Sequence, residues 1–189
     1  MKEKMTENSI RLFEKKGFSE TSIQDIVESI GVTKGTFYYY FTNKEQLLMD
    51  IHLAYIDGLL NEQEKIIQVL EKSCKDKLFE MVYMLLKSIK TKKSSATVFF
   101  REMKNLSEEK LAQILPKREE FRNRIEQLLK KGIESGEFRS NLDTSIISFA
   151  ILGVANWSYH WFDPDGEKTD QEVARIFMGM ILQGIEAGR

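Results

Sequence analysis

Residues 21–47 read TSIQDIVESIGVTKGTFYYYFTNKEQL, and this stretch decides the fold. Ile23, Ile26, Val27 and Ile30 recur at helical spacing. Thr21-Ser22-Ile23-Gln24 has the capping-box form, a hydroxyl followed three residues later by Gln, so a helix is expected to start at Thr21. Gly31 breaks it, Val32 is expected to insert into the core, and Thr33 can cap a further helix over 34–41. Asn43, with Gln46 three residues on, opens another that the pattern extends to about Leu70. Upstream, a first helix is expected over Lys2–Lys16, with Met5, Ser9, Leu12 and Phe13 on one face and Gly17 at its end. Two short helices with apolar inner faces and a glycine turn between them have the layout of a helix-turn-helix. The second helix of such a pair is the one that enters a DNA major groove.

Phe37 and Phe41 lie four residues apart and are expected to pack inward with Leu12, Phe13, Ile26 and Leu47. Tyr38, Tyr39 and Tyr40 are consecutive, and successive helical residues step by about 100°, so they cannot all be core. At least one therefore presents its hydroxyl outward, where it suits phosphate oxygens or base edges.

The bulk numbers agree with a helical, globular protein. The chain has 189 residues, 42% hydrophobic and 30% charged, enough for a sizeable core. Its two prolines, Pro116 and Pro164, leave long stretches free to be helical, and alternating β-branched runs are missing. The fold class is therefore expected to be all-α. The organisation is an N-terminal DNA-binding domain over 1–47 and a larger helical domain over 48–189. Net charge is −1, so whole-chain electrostatics point to no nucleic acid and any DNA binding must rest on local features. The first fifty residues are themselves near neutral, which leaves such binding to helix N-termini, hydroxyls and a few lysines. Cys74 is the single cysteine, and the N-terminus lacks the apolar core of a signal peptide; both fit the cytoplasm.

Further amphipathic helices are expected over 76–90, 94–105 and 107–135, the last with Pro116 as kink or boundary and Gly136 as its end. Between Asp143 and Asp163 lie nineteen residues without a charge, just long enough to span a bilayer. Six polar residues dilute the stretch, acids flank both ends and no basic cluster orients it, so it is read as a helix buried on nearly all sides, with no membrane partner. Thr169 and Glu172 form a second capping box, followed by Val173, Ile176, Phe177, Met180, Ile181 and Ile185 at helical spacing. An uncharged helix followed by an amphipathic one implies more apolar surface than a single subunit covers.

Residues 21–47, with LFEKKGF over 12–18, closely resemble the DNA-binding signature of the TetR family of bacterial regulators, across about a quarter of the chain. Ser9 departs from the alanine usual in the family. The resemblance implies that Lys34, Gly35, Thr36, Tyr38, Tyr39 and Tyr40 meet double-stranded operator DNA and that Lys44 contacts phosphate. Thr33 joins this candidate set. It also implies a homodimer built from residues 143–186, with Phe149, Gly153, Trp161, Ile176, Phe177 and Met180 as candidate interface residues. Two-fold symmetry then places two recognition helices in successive major grooves of a roughly palindromic operator.

Regulators of this family normally carry a ligand pocket in their C-terminal helices. Met81, Met84 and Met103, among Phe79, Tyr83, Phe99 and Phe100, suit an adaptable apolar cavity, although the same residues also suit plain core. A second stretch, ILGVANWSYHWFDPDGEKT over 151–169, resembles the fatty-acid-degradation, FadR-type branch, whose members respond to acyl-CoA. Asn156, Trp157, Trp161, Pro164, Asp165 and Gly166 carry the likeness, and Asn156 and Trp157 join the candidate ligand residues. That branch usually has arginine where His160 and Asp163 stand. The basic residues Lys87, Lys90, Lys92, Lys93, Arg101, Lys104, Arg118 and Arg122 read equally well as solvated surface.

No catalytic constellation can be assembled. His52 and His160 are the only histidines, neither in metal-ligand spacing, and no phosphate-binding glycine loop follows a strand. The expectation is a regulator without enzymatic activity, cofactor or metal, releasing its operator when a hydrophobic effector, acyl-CoA in the resemblance, binds. The alternatives are a regulator of efflux or stress genes that senses other apolar compounds, and a helical small-molecule carrier without DNA binding.

Overall fold

A computed structural model describes residues 1–185. Among these, eight α-helices and one 3-10 turn account for the regular structure. The helices are α1 (Lys2–Lys16), α2 (Ile23–Ile30), α3 (Lys34–Tyr40), α4 (Lys44–Ile67), α5 (Cys74–Arg101), α6 (Glu108–Glu134), α7 (Thr144–Trp161) and α8 (Asp170–Ile185), with the 3-10 turn Met103–Asn105 after α5. The chain is all-α, an N-terminal helix-turn-helix followed by a larger helical part, as expected. Among the described residues no helix is long and apolar enough to cross a membrane.

Two compact units divide the chain, and neither is continuous in sequence. One comprises Met1–Gly58 with Lys92–Pro116; the other comprises Leu59–Thr91 with the chain from Lys117 onward. Helices α4, α5 and α6 each run from one unit into the other. Lys92 has non-helical angles (φ −126°, ψ 15°), which is where the sequence separates 76–90 from 94–105. The expected gap is thus a one-residue break within a single helix. Pro116 lies inside α6 without ending it.

In the first unit Met5, Phe13, Ile26, Phe37, Phe41, Leu47 and Leu48 are buried, whereas Leu12 and Val32 are only half-buried. Helix α1 ends at Gly17, whose N–H donates to the Phe13 carbonyl at 2.9 Å with φ at 89°. The box that starts α2 is shifted by one residue from the sequence expectation. Ser22 N–H donates to Asp25 Oδ2 at 2.8 Å, and Asp25 N–H to Ser22 Oγ at 3.0 Å. A carboxylate makes the stronger charge-assisted bond, so Asp25 prevails over Gln24 as the reciprocal partner. Thr21 is instead fully buried, its hydroxyl donating to the Gly17 carbonyl at 2.8 Å. Helix α4 starts as expected, with Gln46 N–H donating to Asn43 Oδ1 at 2.7 Å, but stops at Ile67 rather than near Leu70.

The segment 92–116 is fastened to the N-terminal helices by polar contacts. Arg101 donates to the carbonyls of Phe13 and, at 2.8 Å, Glu14 at the end of α1. Glu45 accepts from Ser107 N–H at 2.7 Å and pairs with Lys110 at 3.5 Å. Phe99 is buried against the rings of His52 and Tyr55 at 5.2 and 4.9 Å.

In the second unit Glu137 caps α5 from the turn after α6, accepting from Cys74 N–H at 3.1 Å and Lys75 N–H at 3.0 Å. Arg124 on α6 donates to the Leu60 carbonyl of α4 and pairs with Glu64, both at 3.0 Å. Helix α8 opens on the expected capping box, with Thr169 N–H donating to Glu172 Oε2 at 2.9 Å and Glu172 N–H to Thr169 Oγ1 at 3.2 Å.

Phe138 folds back over α6. Its N–H donates to the Gly132 carbonyl at 2.9 Å and its ring is 2% exposed. A Cβ on Gly132 would overlap the Phe138 ring. Helix propensity alone favours Gly132→Ala by about 1 kcal/mol, but overpacking costs about 1–3 kcal/mol. Gly132→Ala is therefore expected to lower the denaturation midpoint in urea or heat; an unchanged or raised midpoint would show that Phe138 gives way freely.

Candidate nucleic-acid interface

The geometry of α3 follows from its two ends. Gly31 adopts the left-handed conformation (φ 71°, ψ 39°), and Val32 N–H reaches back to the Val27 carbonyl at 2.9 Å, closing α2 in a tight turn. Thr33 then caps α3, its Oγ1 accepting from Thr36 N–H at 3.3 Å. Phe41 leaves the helix in extended conformation, so α3 ends at Tyr40.

Seven residues make about two turns, and one side chain anchors them. Phe37 is fully buried, with its ring 5.5 Å from Phe41. The helical step then turns the neighbouring tyrosines away from the core. Tyr39 is 81% exposed and Tyr38 is 56% exposed, and Tyr40 is half-buried with its ring 4.9 Å from that of Tyr39. Thr33, Lys34 and Gly35 are exposed and Thr36 is half-buried. A Cβ on Gly35 would meet only Thr33 Oγ1 at 3.5 Å, so glycine here leaves the backbone open to close approach rather than relieving a clash. The outward face thus offers hydroxyls, one ammonium and bare backbone, the groups that bind phosphates and base edges.

Lys44, the first residue of α4, is engaged within the fold. Its Nζ donates to the carbonyls of Phe18 at 2.8 Å and Thr21 at 2.7 Å and stands 4.3 Å from the centre of the Phe18 ring. Desolvation pulls its pKa down, opposed by the charges of Glu20 and Asp25. Two of the ammonium's three donors are committed to holding the turn before α2.

A second exposed feature lies on α7 and α8. The expectation that α7 is buried on nearly all sides is corrected: Ser148, Ile151, Ala155 and Ser158 face inward, but the opposite side is open. Ile146, Phe149, Trp157 and Trp161 on α7, with Ile176 and Met180 on α8, are each 52–63% exposed. Gly153 is exposed on the same helix and Phe177 is half-buried, its ring 6.2 Å from Trp161. Glu186, the end of the sequence-assigned dimer segment, and the side chain of Ile185 lie outside the described residues.

The candidate ligand residues are distributed over both units. Met81 is buried and Met84 half-buried in the second unit; Phe99 is buried and Phe100 and Met103 are half-buried in the first. Phe99 and Phe100 stand edge to face at 5.3 Å. Trp157 belongs to the open α7 face, one and two turns from Gly153 and Phe149, while Asn156 is half-buried. Sequence reading missed Gln63, which is fully buried on α4. A glutamine on a long helix reads as surface, and only its surroundings mark it.

Comparison with known proteins agrees with this geometry. Residues 6–51 match the model described as "Bacterial regulatory proteins, tetR family", and residues 71–185 match "Tetracyclin repressor-like, C-terminal domain". The chain belongs to the TetR family. Over 92% of its length it is 26% identical to the HTH-type transcriptional repressor KstR2 of Rhodococcus jostii, covering 85% of that protein. It is 23% identical to the Fatty acid metabolism regulator protein of Bacillus subtilis, over 94% of this chain and 91% of that one. The crystal structure of the TetR family regulator PfmR from Thermus thermophilus superposes with a TM-score of 0.87 at 29% identity, covering 95% and 97% of the two chains. KstR2 and PfmR are transcriptional regulators, and this TetR-family chain is a DNA-binding regulator of the same kind.

If Lys44 also lends its remaining donor to a phosphate, Lys44→Ala weakens binding to all duplexes alike and flattens the salt dependence by about one unit of slope. Affinity measured across a salt series, beside a melting curve, decides: a lower melting point with an unchanged slope assigns Lys44 wholly to the turn before α2. Thr36→Ala and Tyr39→Ala are expected instead to change the preferred sequence.

Proposed function

We propose that this TetR-family regulator is a homodimeric repressor that reads a roughly palindromic operator through α3 and releases it when an apolar effector, of which acyl-CoA is the leading class, binds the helical part of the chain. In this reading residues 1–47 carry the DNA contacts, through Thr33, Lys34, Gly35, Thr36, Tyr38, Tyr39, Tyr40 and Lys44. Residues 48–189 sense the effector and dimerise. Repression agrees with the name of the KstR2 relative, a transcriptional repressor.

The observation that carries the reading is the open apolar side of α7 and α8. Six large apolar side chains more than half exposed on two helices form the kind of surface that soluble chains cover with a partner. A second copy is the partner whose surface matches by symmetry, and two-fold pairing presents two α3 helices to half-sites about 34–36 Å apart. Phe149, Gly153, Trp161, Ile176, Phe177 and Met180 form the interface, and Trp157 joins them. The acyl-CoA class is supported by the FadR-like segment 151–169 and by the relative that regulates fatty acid metabolism. Effector binding acts through α4, which leads from the DNA-reading helices into the second unit. A coupling of about 1–3 kcal/mol changes operator occupancy about 5- to 150-fold.

Ile176→Glu places an uncompensated charge in the proposed interface and is expected to weaken dimerisation by roughly 100-fold, with helicity retained. Light scattering reads the mass, and a dimer of unchanged stability would remove α8 from the interface. The function itself is tested by mobility shift with duplex from upstream of the protein's own coding region, with and without long-chain acyl-CoA. A shift relieved by acyl-CoA is the expected result. A shift indifferent to it overturns the effector class and leaves the regulator standing; absence of any shift overturns control of its own promoter.

A further inference from the structure

Gln63 is one of three fully buried polar residues in the second unit, with Ser148 and Ser158, and the one of the three that carries an amide. It is fully buried on α4, among helices that also bury Leu60, Leu78, Met81, Val82, Phe121 and Ile125. Its amide nitrogen donates to the Phe121 carbonyl of α6 at 3.0 Å and lies 3.9 Å from Met81 Sδ on α5. Both N–H groups are thereby used, while Oε1 is buried without a hydrogen-bond partner among the described residues. Rotating the amide does not cure this, because it would set oxygen against the Phe121 carbonyl oxygen.

A structural role accounts for the amide nitrogen, which ties α4 to α6, but not for the buried oxygen. Helices α4 and α6 are already joined by Arg124, which donates to the Leu60 carbonyl and pairs with Glu64. An apolar side chain of the same length would fill the space without burying an acceptor, and a buried acceptor left unpaired is costly. A molecule bearing an O–H or N–H donor removes that cost, whereas a purely hydrocarbon one leaves it in place. This asymmetry is what makes a buried polar group discriminate strongly between ligands.

We propose that Gln63 is the polar anchor of the effector site, selecting apolar molecules that carry a hydrogen-bond donor, a hydroxyl or an amide N–H, for its Oε1. The inference rests on the reading of the second unit as the receptor for an apolar effector, and it deepens that reading by naming the chemistry the effector must carry. Hydroxylated chains meet the requirement, and so do acyl groups attached to an amide-bearing arm. Simple esters and ethers do not. The neighbouring Met81 supplies an adaptable apolar contact beside the anchor.

The test uses the full chain and two probes that differ by one donor, dodecan-1-ol and 1-methoxydodecane, each displacing Nile red, a dye without a donor. Wild-type protein is expected to bind the alcohol about 10-fold more tightly than the ether. Gln63→Met, close in length and apolar, is expected to erase that preference by weakening the alcohol while leaving the ether within about 2-fold. Equal affinities for the two probes in wild type overturn the anchor without any variant, as does a preference that survives Gln63→Met. Weakening of both probes alike makes Gln63 a packing residue. If wild type takes up neither dye nor probe, the apolar-effector reading falls, and the anchor with it.

Discussion

A helix turns by about 100° per residue, so fixing one side chain in the core commits its neighbours to other directions, and what those directions meet decides how this chain meets its surroundings. In α3 the buried side is Phe37, and fixing that ring commits Tyr38 and Tyr39 to the exterior. In α7 the buried side is Ser148, Ile151, Ala155 and Ser158, small or slender residues that let the helix lie close to its neighbours. The bulk of α7's aromatic surface then points outward. The same geometry leaves a hydroxyl-rich edge on α3 and an open apolar side on α7. In α4 the register turns Gln63 inward, which is why a polar group sits where hydrocarbon is the rule.

Helix ends provide the second layer of organisation, because each leaves carbonyl or N–H groups without partners inside the helix. Short-range solutions start α2, α3, α7 and α8, where Ser22, Thr33, Asp143 and Thr169 accept from N–H groups three residues on. Long-range solutions tie distant segments together. Arg101 adds donors at the end of α1, and Glu137 supplies the acceptors missing at the start of α5. Lys44 does the same for the carbonyls of Phe18 and Thr21. The Arg101 contacts, with those of Glu45 to Ser107 and Lys110, fasten the segment 92–116 to the N-terminal helices across the intervening residues 59–91.

Much of the fold and part of the candidate site were legible in the residues. Periodicity placed α1 to its terminal residues, and it located α3 and the start of α4. The capping chemistry at Thr169 was equally readable. Adjacent hydroxyls at Thr21 and Ser22 made two capping frames available, and the choice between them depended on a charged partner at Asp25 and on burial of Thr21 beneath Gly17. The α7 stretch misled for a different reason. An uncharged stretch does not say whether its own chain covers it, and only the exposure of Phe149, Trp157 and Trp161 shows that this chain leaves one side open.

By itself the sequence determined the all-α class, the helix-turn-helix and the family, because these rest on local spacing: apolar residues three and four apart, a left-handed glycine, and hydroxyl caps at helix starts. The tertiary structure alone decided which groups lose water and which partners they find. Lys44 reads as a free cation until the carbonyls of Phe18 and Thr21 are seen to hold it. Gln63 reads as surface until three helices close around it. Burial and long-range hydrogen bonding depend on residues tens of positions apart, and no local pattern encodes the free energy of bringing them together.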